Sequence, residues 1–254
     1  MKLLDKLYEK NHLTFAIVWI VAYVMIASTA DGISLDLGTA KLVSVPVLAA
    51  LTVLLWAWIR HAKLEGFLFL RKPVVPAARM LFYLPLAIIA TKKVWIGMTL
   101  GATPLECALW VVAMVFVSII EELIFRGLLF RAIEEDSRMQ AIVITSITFG
   151  IGHIVNLFNA SGMGLVLVIG QIVFAVGVGF MLVEVMLKSG SMWPCIIFHI
   201  VNNALSTFED EAVALALFGT EELAVAVEVG TGALIAVAYA IFLAKTLPDA
   251  EEAR

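Results

Sequence analysis

The chain has 254 residues, of which 62% are hydrophobic and only 15% are charged. A soluble domain is roughly half apolar and about a quarter charged, so this composition excludes a water-soluble globular fold. The formal net charge of −4 gives no basis for binding nucleic acid. The apolar residues fall in long runs, which predicts an all-α, polytopic membrane protein with a lipid bilayer as its solvent.

About eight membrane-spanning helices are predicted, in a single membrane domain that covers residues 1–254. A helix needs about 20 apolar residues to cross the hydrocarbon layer. In chain order, the predicted spans are 13–30, 42–59, 80–100, 105–125, 140–158, 164–186, 191–208 and 223–244. The third is the weakest, because Lys92 and Lys93 interrupt its apolar run. The first is interpreted as a retained helix and not as a signal peptide, because it is long and further spans follow it.

The lysines and arginines predict the orientation. With eight spans and a cytoplasmic N-terminus, 14 of these residues fall on the cytoplasmic side and 3 on the outer side, which accounts for all 17. Cytoplasmic loops are enriched in lysine and arginine, so both termini are expected in the cytoplasm. The two cysteines, Cys107 and Cys195, lie in apolar segments and are interpreted as packing residues.

Two adjacent carboxylates, Glu121 and Glu122, lie near the cytoplasmic end of the fourth predicted span. Ionisable residues within spans are costly, so they are candidates for function. Glu122 and Arg126 are four residues apart, which predicts an ion pair on one helix face. Glu121 points about 100° away and lacks that partner, which leaves it free to act as a general base. The alternative is a charge cluster at the membrane interface.

Two later spans also carry polar residues. His153 ends the segment Phe149-Gly-Ile-Gly-His153, whose glycines allow a neighbouring helix to approach closely. His199 and Asn203 are four residues apart and share a helix face, whereas Asn202 is expected to point elsewhere. The alternatives are a satisfied interior histidine and an interhelical hydrogen-bond pair. From their positions in the spans, all these groups are expected in the cytoplasmic half of the membrane, where they can share one cavity.

These three motifs resemble the signature of the CAAX protease and bacteriocin-processing family. That family includes the type II CAAX prenyl endopeptidases and the bacterial Abi-type membrane proteins. The motifs are Glu121-Glu122-x-x-x-Arg126, Phe149-x-x-x-His153 and His199-x-x-x-Asn203, within a motif-bearing core of about 105–208.

The resemblance implies an intramembrane peptide hydrolase. Glu121, helped by His153, would activate water, while His199 and Asn203 would stabilise the oxyanion. Glu122 and Arg126 would support them. The implied partners are a protein or peptide substrate, with a C-terminally prenylated peptide as one candidate, and the lipid bilayer. We further expect the plasma (cytoplasmic) membrane of a prokaryote and an active site that opens toward the cytoplasm.

A metal is not assigned with certainty. Glu121, His153 and His199 would be the ligands if zinc is present, but the metalloprotease motif H-E-x-x-H is absent from the sequence. The same residues could polarise water directly. Two other function classes stay open: a non-catalytic membrane scaffold or regulator of the same fold, and a proton-coupled transporter, because intramembrane Glu and His also serve as proton relays.

Overall fold

The computed structural model describes residues 1–159 and 163–250, and its regular structure in these residues is helical apart from one isolated bridge between Met98 and Glu209. The all-α prediction is therefore confirmed for the described part of the chain. The α-helices in that part are α1 (Lys2–Lys10), α2 (His12–Asp36), α3 (Ser44–His61), α4 (Leu84–Ala90), α5 (Lys92–Ile96), α6 (Pro104–Glu122), α7 (Phe130–Glu134), α8 (Arg138–Ile151), α9 (Leu165–Ser189), α10 (Trp193–Ser206), α11 (Glu211–Phe218) and α12 (Glu221–Thr246).

Six helices within the described residues are long and apolar enough to cross a membrane. They are His12–Asp36, Ser44–His61, Pro104–Glu134, Arg138–Leu157, Leu165–Ser189 and Glu221–Thr246. Their outer surfaces expose large apolar side chains, such as Met25 at 63% and Leu234 at 70%. Soluble monomers rarely expose apolar surface of this extent, whereas a lipid-facing surface requires it. The chain is thus an integral membrane protein.

The third predicted span, 80–100, is not one continuous helix. A 3-10 segment, Ala77–Tyr83, precedes α4, and the three consecutive residues Leu81, Phe82 and Tyr83 have φ values of 49°, 52° and 57°. Left-handed backbone is costly for residues with a Cβ, so the helix cannot continue through it. The seventh predicted span, 191–208, appears as α10, which has only 14 residues. The count of eight spans stays a prediction.

Helix α6 begins at a complete capping box. The Thr103 hydroxyl accepts the Glu106 backbone N–H at 3.3 Å, and the Glu106 carboxylate accepts the Thr103 N–H at 3.2 Å. The predicted span 105–125 ended too early, because the helical path continues through a π-helical segment, Leu123–Leu129, and α7 as far as Glu134. At about 1.5 Å per residue, Glu121 lies roughly 20 Å from that end, near the middle of the helix and not close to its end.

The helices run between two ends of the bundle. The terminal end carries both ends of the described chain: His12 contacts Glu135 at 2.5 Å, and Lys188 contacts Asp249 at 2.7 Å. The distal end carries the α2–α3 turn, where Lys41 pairs with Asp31 at 2.8 Å. Lys92, Lys93 and Glu209 also lie there.

Helices α8 and α9 pack closely because glycine replaces a side chain at their contact. A Cβ built on Gly150 would lie 2.3 Å from Val176 Cγ2 and 2.9 Å from the Ile172 carbonyl oxygen. No larger residue fits there without moving a backbone. The expected close approach therefore occurs at Gly150, whereas Gly152 has open space around it. The contact holds the end of α8, and with it His153, against α9.

Candidate active site

The two adjacent glutamates have different surroundings, as the helix geometry predicts. Glu122 Oε1 lies 3.0 Å from Arg126 Nη1, and the two side chains are 0% and 1% exposed. The pair sits where α6 passes into the π-helical segment. Such π segments are frequent at functional sites because they shift the helical register locally. Glu122 is thus a fully buried carboxylate with a fixed counter-ion.

Glu121 contacts two groups from other helices. Tyr23, in α2, donates its hydroxyl to Glu121 Oε1 at 2.7 Å. The other oxygen, Oε2, lies 3.6 Å from Nε2 of His199 in α10. The Glu121 side chain is 15% exposed, so it reaches open space while both of its oxygens are held. Tyr23 was not among the predicted site residues, although a tyrosine hydroxyl inside an apolar span needs a partner and is itself a signal.

His199 connects the two glutamates. Its Nδ1 lies 2.8 Å from Glu122 Oε1, opposite the nitrogen that faces Glu121. The ring therefore belongs to a continuous series of contacts that links α2, α6 and α10, namely Tyr23, Glu121, His199, Glu122 and Arg126. Because Arg126 fixes Glu122 and Glu122 fixes the His199 ring, the orientation of Nε2 is set by buried charges.

His153 lies in a 3-10 turn, Gly152–Leu157, that follows α8. Its Nδ1 is 3.1 Å from the Phe149 carbonyl oxygen. Because a carbonyl only accepts, Nδ1 carries the proton, which leaves Nε2 of the neutral ring as an acceptor. In the described structure, no hydrogen bond or ion pair joins His153 to Glu121. The two face the same cavity.

Phe149 packs against both histidines. Its ring makes edge-to-face contacts with His153 at 5.5 Å and with His199 at 5.7 Å between centroids. The Arg126 guanidinium carbon lies 3.9 Å from the Phe149 ring centroid, in cation–π geometry. Phe149, the first residue of the second motif, thus holds three charged or polar side chains of the site in place.

Asn203 lies one turn after His199 on α10. Its Nδ2 is 3.4 Å from the hydroxyl oxygen of Ser118, a residue that is 0% exposed. Asn202 was expected to point elsewhere, but its amide donates to Asn203 Oδ1 at 3.2 Å and it lines the same cavity. The expectation for Asn202 was wrong because the two neighbouring amides bond to each other at the cavity wall.

One cavity, of about 1080 Å³, contains the predicted chemical groups. Glu121, His153, His199 and Asn203 all line it, as does Tyr23. Its other charged lining residues lie toward the distal end, namely Asp31, Lys41, Lys92, Lys93, Glu209, Glu221 and Glu228. The cavity therefore extends from the buried site toward the end of the bundle opposite the chain termini. The cytoplasmic position of the termini and the cytoplasmic opening of the site both stay predictions.

The donor arrangement does not favour the zinc alternative. Among residues 1–159 and 163–250, no three His, Cys, Asp or Glu side chains are grouped so that they could hold a metal ion. Glu121 and His199 are adjacent, but each is also bonded to a protein group, and His153 makes no hydrogen bond or ion pair with either of them among the described residues. Cys107 and Cys195 are buried, free thiols, in agreement with a packing role.

Comparison with known families identifies this region. Residues 103–205, which are 103 of the 254, match the model described as type II CAAX prenyl endopeptidase Rce1-like. The chain is similar to this family over that segment, which is the Rce1-like domain. The resemblance to the CAAX protease family is thereby confirmed, and the domain runs from the α6 cap to the end of α10 and includes all three motifs. No curated protein and no solved structure matches the chain.

The Rce1-like domain accounts for only part of the site. Glu121, His153, His199 and Asn203 lie inside the matched residues, whereas Tyr23 lies in α2, outside them. The domain and the long apolar helices together support a membrane protein of a protease family that acts on a peptide or protein.

Proposed function

We propose that the protein is an intramembrane endopeptidase that hydrolyses a peptide bond with water activated by Glu121 and His153. The observation that carries the proposal is the shared cavity, in which side chains of α6, the turn after α8 and α10 face one enclosed space within an apolar bundle. A buried, hydrogen-bonded carboxylate beside two histidines is expensive in a membrane, and catalysis gives a reason for it.

The chemistry proceeds in two steps. Glu121 accepts a proton from a water molecule that also donates to Nε2 of His153, and the resulting hydroxide attacks the scissile carbonyl carbon. The carbonyl oxygen becomes an oxyanion, which accepts hydrogen bonds from Nε2–H of His199 and from the Asn203 amide. When the tetrahedral intermediate collapses, Glu121 passes its proton to the leaving amine, so that the products are an acid and an amine and Glu121 is a carboxylate again.

Glu122 and Arg126 act through His199. With protons on both ring nitrogens, His199 donates through Nδ1 to Glu122 at 2.8 Å and directs Nε2–H toward Glu121 and the cavity. Glu122 thus stabilises the cationic ring, and Arg126 keeps Glu122 in place. A positive ring beside the developing oxyanion is worth most where water is excluded.

We propose that the substrate is a membrane-associated peptide, and a C-terminally prenylated peptide is the first candidate. The family match supports a peptide substrate. The cavity lies within an apolar bundle, which suits a lipid-modified chain, and its wall also carries apolar side chains such as Trp110, Met114 and Phe174. We propose from the distribution of lysine and arginine that the chain termini are cytoplasmic. Because the cavity extends toward the distal end of the bundle, we propose that the substrate enters there.

The test is peptide cleavage by purified protein with Glu121→Ala. We expect cleavage to be lost while the protein elutes as a folded species and keeps its thermal transition. Glu222→Ala is the matched control, because Glu222 is an exposed glutamate in the first turn of α12 and does not line the cavity. Normal cleavage by Glu121→Ala would show that the base is another residue. The same assay separates the protease from a scaffold or a transporter, neither of which cleaves peptide.

A further inference from the structure

Three lysines line the cavity, and their partners differ. Lys41 pairs with Asp31 at 2.8 Å, and Lys93 pairs with both Glu209 and Glu228. Lys92, the neighbour of Lys93 in α5, makes no ion pair and no hydrogen bond with any described residue. The cavity wall thus presents one cation that has no carboxylate in direct contact among the described residues.

The surroundings of Lys92 favour an anion. Its ammonium nitrogen lies 3.9 Å from the centroid of the Phe174 ring. This cation–π contact is electrostatic, but it does not neutralise the positive charge of the ammonium group. Burial, first, and the adjacent charge of Lys93 together lower the pKa of Lys92 to about 8, although the nearby carboxylates of Glu228 and Glu209 oppose the shift. A partly desolvated cation gains more from a bound anion than a cation in water does.

Lys92 is connected to the proposed catalytic groups through α9. Phe174, which contacts Lys92, lies one turn after Gln171. Gln171 Oε1 accepts the Asn156 amide at 2.8 Å, and Asn156 lies one turn after His153. An anion on Lys92 would therefore occupy the same cavity as a peptide bond at Glu121, on the side toward the distal end.

We propose that Lys92 binds a carboxylate of the peptide substrate and so fixes which peptide bond reaches Glu121. The free C-terminal carboxylate of the substrate and an acidic side chain near that terminus offer the same chemistry. The inference rests on the proposed function, since it assumes that the cavity binds a peptide. It adds a specificity determinant outside the Rce1-like domain, because Lys92 precedes residue 103.

The test measures binding separately from cleavage, in protein that carries Glu121→Gln. The probe is a short fluorescent peptide with an S-farnesyl cysteine near its C-terminus, made as the C-terminal acid and as the C-terminal amide. We expect the acid to bind about tenfold more tightly or better, as for a charge-assisted hydrogen bond. Adding Lys92→Gln should abolish the difference, and Lys92→Arg should retain most of it.

The matched control is Lys72→Gln, which makes the same change at an exposed lysine that does not line the cavity. It should leave the preference for the acid intact. A third peptide, amidated but ending in glutamate, identifies the source of the carboxylate. If it binds as tightly as the C-terminal acid, a side-chain carboxylate is bound. If it binds as weakly as the C-terminal amide, the terminal carboxylate is bound. Equal binding of all three peptides, or a preference that survives Lys92→Gln, would overturn the proposal.

The outcomes also separate this proposal from the proposed function. Cleavage of all three peptides with equal efficiency by the unmodified protein would leave the protease standing and remove the role of Lys92. If the protein prefers the acid peptide through Lys92 but the unmodified protein cleaves no peptide, the carboxylate-binding role of Lys92 stands and the proposed protease function is refuted. Equal binding of all three peptides can be observed without a Lys92 variant, so that result overturns the proposal even if Lys92→Gln does not fold, and Lys92→Arg then serves as the variant.

Discussion

Replacing Tyr23 with phenylalanine tests how Glu121 is held. The change removes one hydroxyl that donates to Glu121 Oε1 at 2.7 Å and leaves the aromatic ring in place. A hydrogen bond to a charged group contributes about 1.5–3 kcal/mol, which corresponds to a factor of about 10–100 in rate if the whole amount is needed for catalysis. Because Glu121 is 15% exposed to the cavity, water can replace the lost donor in part. We therefore expect kcat to fall about tenfold, near the lower limit.

The assay is the initial rate of peptide cleavage in detergent over a range of peptide concentrations, which separates kcat from KM. Tyr239→Phe is the matched control: its hydroxyl donates to the Met80 carbonyl at 2.6 Å, the residue is 3% exposed, and it does not line the cavity. That variant should lose stability and keep its specific activity. An unchanged kcat in folded Tyr23→Phe, or an equal loss in both variants, would refute the positioning role of Tyr23.

Four further predictions follow from the same geometry. Asn203→Ala should lower kcat about 10²–10³-fold with little change in KM, as for loss of an oxyanion donor, measured by steady-state cleavage. Arg126→Met should lower the free energy of unfolding in detergent by about 3–5 kcal/mol, because it strips buried Glu122 of its counter-ion; a smaller loss in the double variant with Glu122→Gln supports this cause. Gly150→Ala should cost about 1–3 kcal/mol by overpacking, seen as a lower thermal midpoint. Lys92 is protonated below its pKa of about 8, so the preference for acid over amide peptides should be full at lower pH and vanish at higher pH; a preference that is constant across this range would contradict it.

The different surroundings of Glu121 and Glu122 could be predicted because they depend on local geometry. Side chains four residues apart share a helix face, so Glu122 and Arg126 are expected to contact each other in any helix that includes both. The same rule placed His199 and Asn203 on one face. That these faces meet at one cavity follows from helix packing, and before the structure only the depths of the residues in their predicted spans and the motif resemblance suggested it.

Tyr23 could not be predicted as a partner of Glu121, because the contact joins residues 98 positions apart. Nothing in the periodicity of α2 says which side of the helix faces α6. The π-helical segment after Glu122 also has no sequence signal, since it results from packing and not from a proline. These features depend on tertiary contacts, which a single sequence does not encode locally.

The predicted end of the fourth span was wrong because its charges neutralise one another. Arg131 pairs with Glu134 at 2.7 Å, and Glu134 pairs with Arg138 at 2.7 Å, so the helix extends to Glu134 through residues that composition alone assigns to a loop. The error moved Glu121 toward the cytoplasmic boundary. With the full helix, Glu121 lies deep in the bundle, and the cavity above it runs toward the distal end.

The rate of a single turnover by Glu121→Gln protein in lipid vesicles tests the central claim most directly. The substitution keeps the size of the side chain and removes its ability to accept a proton from water. With protein in excess over prebound peptide, we expect the protein to bind peptide with unchanged affinity and to cleave it at least about 10³-fold more slowly than the unmodified protein. Cleavage of bound peptide at the unmodified rate would contradict the account, because Glu121 would then not be the base.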